Sequence, residues 1–339
     1  MNHYFRKRTE RLGGKSNSRS SQDQSSQKST KRRKREDVPV VIQLINCLLV
    51  RADSDTLVKE HLWLQNGKII DPQGRFWEAN DNKSFAADVV IDCGGLIIAP
   101  GFIDIQINGA FGVDFSMLPN DIEEAGVLID KVSLGLLSHG VTSYVPTIIT
   151  SSPESYRTCI AALKTRMGPG SHETGAHILG IHLEGPFITN LGAHPPCLAR
   201  PTTINHVKEV DDVYGDLSDV SIVTLAPETP GGLEQIEYLA GKDIKVSIGH
   251  TRATYDESLA AVEKGATLIT HLFNAMSPFH HRDPGVIGLL GHVPATQRPF
   301  YSIITDGIHA HPTSAAIAYN SHPDGQSQNI QHLTLGLLA

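Results

Sequence analysis

The chain is poor in cysteine, long apolar runs and nucleotide-loop glycine motifs, and each shortage removes a class of protein. Its 4 cysteines, Cys47, Cys93, Cys159 and Cys197, are scattered and form no CxxC pair. A disulfide framework or a cysteine-built zinc ribbon is therefore not expected, and free thiols in a reducing, cytoplasmic setting are. No stretch approaches the roughly 18 uninterrupted apolar residues of a membrane span. The charged start MNHYFRKRTERLGGK is not followed by an apolar segment, so it does not read as a secretory leader. Neither GxGxxG nor a Walker A loop accompanies the polar motifs, which leaves nucleotide binding little support.

Charge is unevenly placed. Residues 1–38 hold 12 Lys and Arg against 4 Asp and Glu, so the rest of the chain is near −15 although the whole is −7. An acidic body with a basic tail is not the pattern of a protein that wraps nucleic acid. The tail segment KSNSRSSQDQSSQKSTKRRKRED has almost no apolar residues and is expected to be disordered. Within it, KRRKR (Lys31–Arg35) reads either as a solvated charge run or as a nuclear-import address.

Residues 39–100 alternate apolar and polar positions around turn signals such as Asn66-Gly67 and Gln73-Gly74, which predicts short antiparallel strands in a small β unit. From residue 101 the pattern changes. Short apolar strands (FIDIQI, VTSYVPT, HILGIHLEG, VSIVTLAPE, IKVSIGH, ATLITHLFNA, FYSIITDGIHA) are separated by helix-like segments, two of which, DIEEAGVLIDKVSLGLLSHG and TYDESLAAVEKG, end in glycine. Repeated β–α units with buried strands argue for a parallel sheet of the (β/α)8 TIM-barrel type over 101–325. Seven candidate strands stand where a closed barrel has eight. The stretch 326–339 is expected to be a divergent tail, either an alternative ending or the artefact of a truncated gene prediction.

Polar residues gather at the C-terminal ends of these strands, where barrel active sites form. His182 and Glu184 end the third strand, His250 the fifth, His271 and Asn274 the sixth, Asp306 and His309 the seventh. A carboxylate after the apolar run ILGIHL is costly to bury unpaired. The Glu184, His250 and His271 group therefore reads as a set of metal ligands with an open position for an activated water. With 17 histidines in the chain, surface or hydrogen-bonded core roles compete with that reading. Arg282 suits a phosphate or carboxylate, or a rim ion pair with Asp283. Asn274 and the backbone N–H of Ala275 suit an oxyanion.

The motifs HLEGPF, GAHPP, SIGHT, THLFNAMSPFHHRDPG and DGIHAHP, in that order, resemble the N-acetylglucosamine-6-phosphate deacetylase family of the amidohydrolase superfamily, from about residue 40 to 325. The resemblance implies a metal site of Glu184, His250 and His271, usually zinc. It implies that His194 polarises the acetamide carbonyl beside the metal. It implies that Ala193, His194, Asn274, Ala275, Arg282, Asp306, Gly307, Ile308 and His309 bind the amino-sugar phosphate. It also implies a β-sandwich around the N-terminal strands, and a homodimer in which Arg282 reaches the neighbouring site. The reaction implied is hydrolysis of N-acetylglucosamine 6-phosphate to glucosamine 6-phosphate and acetate.

Two departures from common amidohydrolase patterns stand out. The first strand carries Gln106 and Asn108 where many relatives place a His-x-His pair, which points to a single ion and away from two-metal hydrolases of cyclic amides. No stretch matches the family's strand-eight acid/base aspartate. The expectation that follows is weak or absent turnover, with a non-catalytic role in binding a sugar phosphate or a full-length partner as the alternative.

Overall fold

The computed structural model describes residues 40–51, 54–73, 86–168, 175–199, 206–292 and 294–325. The basic tail with Lys31–Arg35 and the segment 326–339 lie outside the described residues, as does Gly74 of the second turn signal. The chain divides into two units, Met1–Ala99 and Pro100–Ala339. None of the described helices is long and apolar enough to cross a membrane.

The first unit holds β1 (Val41–Ile45), β2 (Leu48–Leu49), β3 (Val58–Lys59), β4 (Leu62–Gln65), β5 (Lys68–Ile69), β6 (Val89–Asp92) and β7 (Ile97–Ile98). They form two sheets, ordered β5-β4-β1-β6 and β3-β2-β7. The β4–β5 hairpin closes at Asn66-Gly67, both with positive φ (52° and 71°), as a tight two-residue turn requires. The expectation of antiparallel strands holds for β1–β4, β4–β5 and β2–β3, but β1 pairs β6 and β2 pairs β7 in parallel. Alternating polarity encodes which face is buried and carries no information on strand direction, which the long connections decide.

The second unit runs β8 (Phe102–Ile107), β9 (Gly109–Ala110), β10 (Val113–Asp114), α1 (Ile122–Leu137), β11 (Val141–Ile149), α2 (Pro153–Lys164), β12 (His177–Ile178), β13 (Ile181–Glu184) and α3 (His206–Tyr214). It continues with β14 (Val220–Leu225), α4 (Gly232–Gly241), β15 (Lys245–Ile248), α5 (Tyr255–Glu263), β16 (Ala266–Ile269), β17 (Phe300–Tyr301) and α6 (Pro312–Ser321). A curled parallel sheet in the order β8-β11-β13-β14-β15-β16-β17 is its spine. β12 and β13 both pair with β11 and are two parts of one interrupted strand. Each of the seven apolar sequence segments thus supplies one strand. The helices begin where the sequence signals: Asp121 caps α1, Ser152 with Pro153 opens α2, and Thr254 with Glu257 forms a capping box at α5. Ile129, Leu163, Ile181, Leu183, Leu225, Ile236 and Ile248 are fully buried between helices and sheet.

Candidate active site

The parallel sheet brings the C-terminal ends of β13, β15 and β16 to one rim. Glu184 is the last residue of β13, and His250 and His271 each sit two residues past the end of their strand. All three are buried. Both histidines adopt positive φ, 49° for His250 and 33° for His271, a conformation that costs a non-glycine residue about 1–3 kcal/mol and persists only when its surroundings hold it.

Hydrogen-bond chemistry shows what this centre takes. His250 Nδ1 lies 2.7 Å from the carbonyl of Asn190, and His271 Nδ1 lies 3.2 Å from that of Asn274. A carbonyl oxygen only accepts, so each Nδ1 carries the hydrogen and each Nε2 directs a lone pair inward. There the two Nε2 atoms are 3.0 Å apart, and Glu184 Oε1 lies 3.1 Å from His271 Nε2 and 3.3 Å from His250 Nε2. Three acceptors converge on one point, and a cation is what such a point holds. One carboxylate and two imidazoles fit a divalent metal ion. Gln106, on β8, donates from Nε2 to Glu184 Oε1 at 2.9 Å and so orients the carboxylate.

Beside this centre opens a cavity of about 540 Å³, lined by Gln106, Asn108, Glu184, Ala193, His194, His250, His271, Asn274, Ala275 and His309 among others. His194 is buried, with its Nε2 3.8 Å from Glu184 Oε2. Its Nδ1 faces both the backbone N–H of Thr150 (3.3 Å) and the Thr150 hydroxyl (2.7 Å). The backbone N–H can only donate, so Nδ1 accepts and the ring hydrogen is on Nε2, beside Glu184 in the cavity lining. Burial lowers His194 to about 4, so the ring is a neutral hydrogen-bond donor at neutral pH. Asn274 contributes a buried Nδ2 that finds no partner among the described residues, a donor available to a ligand.

The remaining candidates from the sequence separate into two groups. His309 lines the cavity and is held by Asp306, whose Oδ2 is 2.6 Å from His309 Nδ1. Asp306 also accepts the backbone N–H groups of His309 and Ile308, and these bonds pull it to about 2. Asp306, Gly307, Ile308 and Arg282 are not brought into the cavity lining. Ile308 is exposed, and Arg282 is exposed on the His280–Asp283 turn.

A model of the amidohydrolase family matches residues 97–329 of the chain. The chain belongs to the amidohydrolase family. Its curated relatives include N-acetylglucosamine-6-phosphate deacetylase from Rattus norvegicus, 47% identical over 84% of this chain and 68% of the relative. The Homo sapiens enzyme of the same name is 45% identical over the same shares. Among solved structures, N-acetylglucosamine-6-phosphate deacetylase from Pasteurella multocida superposes with a TM-score of 0.66 at 28% identity, covering 84% of this chain and 70% of that one.

Sequence reasoning missed several residues of this amidohydrolase centre. Thr150 carries no chemistry of its own, and only its hydrogen bonds to His194 reveal it. Asp104 lies two positions before Gln106 on β8, and the pleat turns both to the same side. It is buried at the cavity lining, and burial raises it to about 7. Its placement on a period-2 strand beside Gln106 was the available signal.

Proposed function

We propose that this amidohydrolase hydrolyses the acetamide of N-acetylglucosamine 6-phosphate, releasing glucosamine 6-phosphate and acetate, with one zinc ion held by Glu184, His250 and His271. The observation that carries this reading is the convergence of three buried acceptors beside a cavity that the neutral His194 lines with its Nε2–H. The deacetylase names of relatives 45–47% identical support the choice of substrate. The ion supplies Lewis acidity toward the reacting amide. The protein's own residues hold the ion and bind and orient the substrate. His194 donates its Nε2–H to the acetamide carbonyl oxygen, where charge develops, and Thr150 keeps that hydrogen on Nε2. Gln106 fixes the Glu184 carboxylate. Asn274 Nδ2, Ala193, Ala275 and His309 take the sugar and its polar groups. Arg282, exposed and outside the cavity lining, is the residue that a homodimer would bring to the neighbouring copy's phosphate. The free thiols of Cys47, Cys93, Cys159 and Cys197 support action in the cytoplasm.

Metal analysis of the purified protein together with acetate release from N-acetylglucosamine 6-phosphate tests the proposal. One ion per chain, lost in His271→Ala, and acetate release above background are expected. Absence of both removes it. The alternative of a non-catalytic chain that binds a sugar phosphate or a full-length partner has no specific observation in its favour.

A further inference from the structure

We propose that Glu228 is a positioning residue for the metal centre, a carboxylate clamp that holds His250 in its left-handed conformation. This rests on the reading of Glu184, His250 and His271 as metal ligands. Glu228 follows β14, outside the cavity lining, and touches no atom of the three ligands' side chains. Its two oxygens nevertheless bind the loops on both sides of His250. Oε1 accepts the Thr189 hydroxyl, from the loop after β13, and the backbone N–H of Arg252 at 2.6 Å, from the loop after β15. Oε2 accepts the Thr251 hydroxyl at 2.5 Å. One half-buried carboxylate therefore ties together the loops that follow three neighbouring strands.

The loop it holds is the one that grips His250. The N–H groups of Thr189 and Asn190 both donate to the His250 carbonyl at 2.9 Å, and the Asn190 carbonyl accepts His250 Nδ1–H at 2.7 Å. Thr251, next in sequence, is pinned from the other side by its N–H to the Ala275 carbonyl at 3.0 Å. His250 thus has its carbonyl, its ring and its following residue fixed by groups that Glu228 gathers. Because φ of 49° is unfavourable for histidine, a loosened clamp lets the residue relax toward negative φ and turns Nε2 away from Glu184. Two hydroxyls and an N–H all donate to Glu228, and an alanine there leaves them without their acceptor.

The test is zinc affinity, measured by competition with a chromophoric chelator, alongside thermal melting of the metal-free proteins. Glu228→Ala is expected to weaken zinc binding by about tenfold or more, as removal of a ligand-orienting group does. Glu228→Gln, whose amide oxygen keeps the Arg252 and Thr189 bonds, is expected to retain affinity within about threefold. A merely structural role would lower the melting temperature of the metal-free protein and leave zinc affinity unchanged. An Ala variant that binds zinc as tightly as wild type therefore overturns the clamp. If Glu228→Ala does not fold, Thr189→Val carries the test: it removes one donor, is expected to cost severalfold in zinc affinity, and overturns the clamp if affinity is unchanged. A wild-type protein that binds no zinc defeats the metal reading itself, a result distinct from either.

Discussion

At the scale of single residues, two buried groups set opposite demands on protons. His194 is kept neutral by burial, and its value lies in one correctly placed Nε2–H. His194→Ala is expected to lower kcat by about 10²–10³, the usual cost of removing a donor to a developing oxyanion. Metal content should stay at the wild-type level, which acetate-release kinetics paired with metal analysis will check. Asp104 is the converse case, a carboxyl raised by burial from 3.8 to about 7. Between those values the folded protein holds a proton that the unfolded chain has released, so stability falls as pH rises through the window and levels off above about 7. The full effect is roughly 4 kcal/mol. Asp104→Asn removes the ionisation, so the melting temperature of the metal-free wild type should drop more between pH 5 and pH 7.5 than that of the variant. Parallel curves for the two would refute the burial argument. His194 was legible from its GAHPP setting, but Asp104 was not. An aspartate in an apolar strand does not reveal whether its neighbours leave it water, and that depends on what β11, its neighbour in the sheet, brings beside it.

At the scale of elements, the strands and helices follow local rules closely enough to be tested one at a time. The α5 capping box satisfies two N-terminal donors with Thr254 and Glu257, so Thr254→Ala is expected to cost about 1 kcal/mol, read from the denaturant midpoint. Leu183 in β13 is fully buried one position before Glu184, and Leu183→Ala is expected to cost about 2–5 kcal/mol by the same measurement. The larger loss belongs to the core because a cavity adds to the lost transfer energy, whereas water replaces a cap. These elements were readable because their signals are local: a period of 2 in FIDIQI, a capping residue before an amphipathic run, a glycine after it. The parallel pairing of β6 with β1 and β7 with β2 was not readable. It depends on where residues 47 and 49 positions apart in sequence meet, and no local pattern records it.

At the scale of the whole molecule, the two units differ in how well their faces are covered. The parallel sheet of the second unit is buried along most of its strands. In the first unit β6 is exposed throughout, and Leu96 and Ile97 are 68% and 57% exposed. Apolar strand faces open to water promote self-association. Replacing Val90 and Ile97 by Lys is therefore expected to lower concentration-dependent light scattering without changing metal content.

The order of strands and helices and the identity of Glu184, His250 and His271 as the metal-site candidates were determined by sequence alone, because hydrophobic period, caps and long motifs are written into neighbouring residues. Tertiary structure decided the rest. Glu184 and His271 are 87 positions apart, and only the parallel sheet brings their acceptor atoms to 3.1 Å. Which nitrogen of each histidine points inward, whether Asp104 sees water, and why Glu228 matters all depend on hydrogen bonds between loops distant in the chain. Those bonds exist because folding fixes the loops side by side, and no local stretch of sequence carries that distance.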